Sequence, residues 1–170
     1  MEDGSADSAL TIAIAGEDDV EGILALQDRN QPGRGGALTA ALPRARILAM
    51  LGDLPLIVAR RGDRVVGFLL TASKPLVADV PVIQAMLAAY GGAADAYVYG
   101  PIVVDESERG RGVALRMFAA LKERLPGREG VLLIRADNAS SLRAHEKMGA
   151  RPRGTFIHNG FSFFVLSYLG

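Results

Sequence analysis

The chain contains no cysteine and only two histidines, His145 and His158. Without thiols there can be no disulfides, thiolate metal sites or cysteine nucleophile. Two histidines are too few for a histidine-built metal centre, so no metal is expected. Neither charge is in excess, since nineteen basic residues balance nineteen acidic ones. That balance argues against a general nucleic-acid or anionic-membrane surface. No run reaches the ~18 apolar residues that span a bilayer, and the opening MEDGSADSA is acidic and polar rather than signal-like. The expectation is a soluble, cytoplasmic protein of one domain, because 170 residues, 49% of them hydrophobic, suffice for one core.

Residues 1–9 read as a disordered lead-in and 10–170 as the domain. Leu10 to Ala15 alternates like a strand, and Gly16 to Asp19 supplies turn and cap chemistry for a helix over Asp18 to Gln27. Val20, Ile23, Leu24 and Gln27 share one side of that helix. A glycine-rich loop over Asn30 to Gly36 precedes a helix from Thr39 to Leu51 that buries Ile47, Leu48 and Leu51. Leu56 to Arg60 and Val65 to Thr71 form a hairpin in which Arg61-Gly62-Asp63-Arg64 is turn chemistry. A connector from Lys74 to Ala96 holds a short helix over Val80 to Tyr90. The spacing predicts a strand over Val131 to Arg135, a helix over Ser140 to Met148 stopped by Gly149, and a closing hairpin at Asn159-Gly160.

The centre of the chain is Tyr97 to Leu125. A buried strand over Tyr97 to Val104 meets a charged turn, then Arg109-Gly110-Arg111-Gly112, then a helix with Ala114, Phe118, Leu121 and Leu125 on one face and Met117 beside them. Helix N-termini favour acidic residues, yet Arg109 and Arg111 crowd this one. Backbone N–H groups at a helix start, backed by two guanidinium groups, form a phosphate site. A glycine turn with solvated arginines is the plain alternative. Strands 97–104 and 131–135, joined by a right-handed helical crossover, should lie parallel in an α/β mixed sheet. Ligands of such sheets sit at the carboxyl ends of the strands, where Arg109 and Asn138 fall.

The dinucleotide fingerprint G-x-G-x-x-G fails because Leu115 occupies its third glycine, and no Walker string occurs. What fits is R-x-x-G-x-A, here Arg109-Gly110-Arg111-Gly112-Val113-Ala114. It resembles the acyl-CoA pyrophosphate motif of the GNAT superfamily of N-acetyltransferases. Asn138-x-x-Ser141-x-x-x-His145-x-x-x-Gly149 is similar to that family's later motif, N-x-x-A-x-x-x-Y-x-x-x-G. The resemblance implies a single GNAT-like domain with a mixed, mostly antiparallel sheet. Its parallel central strands, 97–104 and 131–135, would be splayed and flanked by helices. It also implies acetyl-CoA as cosubstrate and transfer of its acetyl group, by direct attack, to a primary amine of a small molecule or peptide. The pantetheine arm would lie along the backbone of Ile102, Val103 and Val104. Amides of Gly110, Arg111, Gly112, Val113, Ala114 and Leu115 would hold the pyrophosphate with Arg109, and Asn138 and Ser141 would complete the cofactor contacts. Gly100-Pro101 agrees with a splay, because proline cannot donate to a strand ladder.

For catalysis, the family's usual proton donor is a tyrosine, and His145 stands at its position. His145 is read either as a contact to the CoA sulfur or as a packed core histidine. Neither strand as bounded here contains a glutamate to act as base. Tyr99 or Tyr97 is read as a water relay or as packing. The acceptor side falls to the 28–46 region, the 74–96 connector and the final hairpin. There Arg34, Arg44 and Arg46 are read as solvated arginines or as a hint of an anionic acceptor, and Phe156, His158 and Phe161 would cover the site or pair a homodimer. A non-catalytic acyl-CoA-binding or sensing domain is the alternative reading, and a nucleotide-binding domain a third.

Overall fold

The computed structural model describes residues 8–31 and 41–170. Residues 1–7 of the expected lead-in over 1–9 and most of the glycine-rich loop, with Arg34 and the expected start of the second helix, lie outside the described residues. Among the described residues seven strands run in chain order as β1 (Leu10–Ile14), β2 (Ile57–Arg61), β3 (Arg64–Ser73), β4 (Tyr97–Val104), β5 (Glu129–Arg135), β6 (Arg151–His158) and β7 (Phe161–Leu169). The helices are α1 (Val20–Arg29), α2 (Arg44–Leu51), α3 (Pro81–Ala89), α4 (Val113–Arg124) and α5 (Ala139–Lys147). The strands pair in the order β1-β2-β3-β4-β5-β7-β6; β4 and β5 are parallel, while β1–β2, β2–β3, β5–β7 and β6–β7 are antiparallel. This is the expected α/β mixed sheet with a parallel central pair.

The chain divides into two compact units, one of Met1–Leu70 with Pro101–Leu121 and one of Thr71–Gly100 with Lys122–Gly170. In the first, β3 is buried from Val65 to Leu70, which is why its sequence reads as a continuous apolar run rather than an alternation. Helix α1 approaches it at Gly22, where a Cβ would stand 2.6 Å from a Val65 methyl, so a residue poor for helix formation is kept for contact. α4 lies against β3 at Gly67 in the same manner, with the Met117 methyl 3.2 Å from the position a Cβ would take. α1 buries Leu26 where the sequence suggested Leu24, and α2 buries Ile47 and Met50 while Leu48 is 42% exposed. On α4, Val113 rather than Ala114 is fully buried.

In the second unit β5 starts two residues earlier than expected, at Glu129, and β6 five earlier, at Arg151. β6 ends the strand order, and its arginines, Pro152 and a bulge between Pro152 and Gly154 suit an edge. Asn159 (φ 50°) and Gly160 (φ 80°) make the tight turn that its sequence requires. Among the described residues no helix is long and apolar enough to cross a membrane.

Candidate active site

In the first unit the segment after β4 is anchored from beneath by two buried carboxylates. Asp105 donates its N–H to the Val66 carbonyl and receives Arg29 (3.4 Å), Arg64 (2.9 Å) and the Ser107 hydroxyl on its side chain. Burial alone would push the Asp105 carboxyl up; Ser107 and the two guanidinium groups outweigh it and hold the group below its ordinary value. Glu108 takes a forked pair of bonds from Arg61, at 2.7 and 2.9 Å, and that guanidinium keeps it ionised. The sequence presented Asp105 to Glu108 as a charged turn; Asp105 and Glu108 prove to be the buried footing of the loop above, while Glu106 is exposed.

Above them, Gly110 and Gly112 both have φ of +76°, a left-handed conformation that L side chains rarely adopt. Nothing lies within 4 Å of a Cβ built on either glycine, so backbone conformation, not crowding, requires them. Arg116 N–H donates to the Gly112 carbonyl as α4 begins. The amides of the first turn have no carbonyl within the helix to bond, which is the arrangement that accepts an anion. Gly110, Arg111, Gly112 and Leu115 are exposed, Ala114 is half-buried and Val113 is buried. Of the adjoining strand residues, Val103 is buried while Ile102 and Val104 are partly exposed.

The two loop arginines behave differently. Arg109 folds back, its Nε donating to the Val104 carbonyl (3.2 Å) and a terminal nitrogen to Asn30 Oδ1 (2.9 Å). Asn30 itself closes α1 by donating to the Leu26 carbonyl. Among the described residues Arg109 therefore meets only neutral oxygens, and its charge is not cancelled there. Arg111 stands 3.8 Å from Glu108 and is mostly exposed.

In the second unit, Asn138 caps α5 by accepting from Ser141 N–H at 3.3 Å, a bond that uses Oδ1 and none of the Nδ2 donors. Gly149, at φ +96°, ends the helix. His145 is buried on α5 between two partners. Its Nδ1 lies 2.8 Å from the Ser141 carbonyl and its Nε2 3.1 Å from the Tyr99 hydroxyl. A carbonyl only accepts, so Nδ1 carries the proton; Nε2 of the neutral ring then accepts from Tyr99. Burial lowers the tendency of this ring to protonate, partly offset by the Ser141 carbonyl. Tyr99 is equally buried, and burial pushes its phenol far above the usual range. The rings of Tyr99 and His145 meet edge to face at 5.5 Å, and Tyr99 packs on Tyr168 in the same way at 5.6 Å. Tyr168 in turn hydrogen-bonds Tyr97 hydroxyl to hydroxyl.

The absence of a glutamate from the two central strands is corrected by the observed start of β5. Glu129 belongs to that strand, but its carboxylate accepts from the Tyr90 hydroxyl and the Ala93 N–H, each at 2.7 Å. It holds the connector after α3. Nothing in residue spacing marked the Tyr99–His145 or Arg109–Asn30 contacts, whose members lie 46 and 79 positions apart. On the hairpin, a concavity of about 530 Å³ is bounded by Ala136, Thr155, Phe156, Ile157 and Phe164. Arg135, after which the chain turns toward α5, lies over the Phe161 ring at 4.4 Å.

The family model described as the acetyltransferase (GNAT) family matches residues 23–150. Similar solved structures include Ard1 from Thermoplasma volcanium, 18% identical with a TM-score of 0.69 over 95% of this chain and 97% of that one. A GNAT-family acetyltransferase from Streptococcus agalactiae 2603 has 15% identity and a TM-score of 0.71, covering 95% of each chain. Arabidopsis thaliana NAA60 in complex with acetyl-CoA has 14% identity and a TM-score of 0.68, covering 95% of this chain and 98% of that one. At such identities the likeness is one of fold. No curated protein matches the chain.

Proposed function

The chain belongs to the acetyltransferase (GNAT) family, and from that premise we propose that it moves the acetyl group of acetyl-CoA, by direct attack, onto a primary amine of a small molecule or peptide. The observation that carries this reading is the loop at the start of α4. Two left-handed glycines expose the first-turn amides, and Arg109 meets only neutral oxygens among the described residues. A pyrophosphate would take amides from Gly110 to Leu115 and draw on the charge of Arg109 and Arg111. The backbone of Ile102 to Val104 accepts the pantetheine arm, for which the Val104 carbonyl must exchange its bond from Arg109. Asn138 contributes its Nδ2 donors while still capping α5, with Ser141 beside it. Residues 10–170 are the acetyltransferase domain in this reading. Two solved proteins of similar fold, NAA60 and yncA from Salmonella typhimurium, are described with acetyl-CoA bound, which supports the choice of cosubstrate.

A non-catalytic acyl-CoA sensor is the second reading, favoured by one observation: both ring nitrogens of His145 already have partners. Calorimetric titration with acetyl-CoA, ATP and NAD tests the ligand, and CoA release with a panel of amines tests transfer. Binding of acetyl-CoA with transfer to at least one amine upholds the enzyme. Binding without transfer upholds the sensor, and binding of ATP or NAD in its place removes both.

A further inference from the structure

The parallel ladder between β4 and β5 is two pairs long, Tyr97↔Gly130 and Val98↔Val131. It stops one position before Tyr99, and Gly100 follows at φ +109°, outside any regular strand conformation. Tyr99 is thus the first β4 residue beyond the ladder, and its hydroxyl donates to His145 Nε2. Acetyl transfer to an amine takes a proton from nitrogen and delivers one to sulfur. β4 has no carboxylate, and that of Glu129 on β5 is held by Tyr90 and Ala93.

We propose that Tyr99 and His145 form one proton relay that serves both halves of the transfer, first as base toward the amine and then as acid toward the departing sulfur. The proposal rests on the acetyltransferase reading above. As the neutral amine attacks, the C–N bond forms and the nitrogen of the tetrahedral adduct becomes cationic. Tyr99 Oη takes one proton from that nitrogen while its own proton moves to His145 Nε2. The imidazolium holds the proton, with its Nδ1–H on the Ser141 carbonyl. When the C–S bond breaks, its electron pair leaves on sulfur. Nε2 then returns a proton to Tyr99 Oη, and the Tyr99 proton passes to the thiolate. The pair ends as it began, and one proton has gone from nitrogen to sulfur with no further reactant.

A buried phenol acting alone would have to become a phenolate, which burial makes costly here. The histidine removes that need, because the phenol loses one proton as it gains another. Phenols face the pair: Tyr168 on β7 against the Tyr99 ring, and Tyr97 on β4 bonded to Tyr168. On α5 itself Ser141 is the polar contact, while Arg143, Glu146 and Lys147 are exposed.

The absence of cysteine makes CoA the only thiol in the reaction, so its release is read directly with a disulfide reagent. The assay uses acetyl-CoA and a panel of amino acids, diamines and peptides with free N-termini. Tyr99→Phe and His145→Phe should each lower kcat about 100-fold, with KM for acetyl-CoA within about twofold of the parent. The double variant should fall no further than the worse single one, because the two act as a unit. In the parent, kcat should rise with pH along a limb set by His145, and the limb should vanish in His145→Phe. Independently of turnover, ring-nitrogen NMR of the parent should show the Nδ1–H tautomer. Tyr99→Phe should shift the His145 titration.

An Nε2–H tautomer, kcat unchanged in either variant, additive losses, or a surviving limb would each overturn the relay while leaving the acetyltransferase standing. Acetyl-CoA binding with no CoA released for any amine would overturn both.

Discussion

The Tyr99 hydroxyl lies 3.1 Å from Nε2 of His145, although 46 positions separate the two residues in the chain. One sits on a strand and the other on a helix, both buried, and the Ser141 carbonyl decides which ring nitrogen receives the phenol's proton. The contact joins the histidine that stands where the resembled motif has its tyrosine to the first residue of β4 beyond its ladder with β5.

Removing the phenolic hydroxyl leaves a buried imidazole nitrogen without that donor. Tyr99→Phe should therefore cost about 1–3 kcal/mol of folding stability, the usual penalty for orphaning a buried acceptor. Urea unfolding at neutral pH measures it; a loss under about 0.5 kcal/mol would mean that solvent or another donor replaces the hydroxyl.

His145 also sets a pH dependence of stability. Burial lowers its folded pKa below the unfolded value of about 6.5, so in that window the unfolded chain binds more protons. Its contribution is complete above about pH 6.5 and shrinks as pH falls toward the folded pKa. The parent should lose stability between pH 6.5 and 5 more steeply than His145→Phe, as denaturation midpoints across that range will show.

The cofactor loop makes a sharper claim. Arg109→Glu reverses the charge at the start of α4, and acetyl-CoA affinity should fall at least about tenfold by calorimetry, in line with loss of a charge-assisted bond. Gly112→Ala should also weaken binding, because the left-handed backbone strains any Cβ, at a stability cost of about 1 kcal/mol. Unchanged affinity in both would remove the phosphate site.

Gly130 tests packing behind the relay. A Cβ there would stand 2.5 Å from the Tyr168 ring, whose edge meets Tyr99. Gly130→Ala should destabilise the chain by about 1–3 kcal/mol as the ring is displaced. The near-ultraviolet tyrosine dichroism should change with it.

Much of this molecule was determined locally. The glycines at 110, 112, 149 and 160 adopt the left-handed conformations that their positions demand, and that steric preference belongs to each residue and its neighbours. Strand β4, with its predicted ends at Tyr97 and Val104, and the helix begun by Asn138 follow from the same short-range rules. Tertiary structure decided what faces what. Leu26 and Met50 are buried in place of Leu24 and Leu48 because a helix turned by part of a residue still satisfies its own hydrogen bonds, and only the opposing sheet selects the face. Glu129 extends β5 because its ladder with β7 continues to Leu169, which no local pattern encodes. Apart from partners a few positions off on the same loop or helix, the partners of Asp105, Arg109 and His145 lie between 39 and 79 positions away. Such contacts exist only once the strand order is complete, so the sequence could name the residues of the site while the folded sheet alone could pair them.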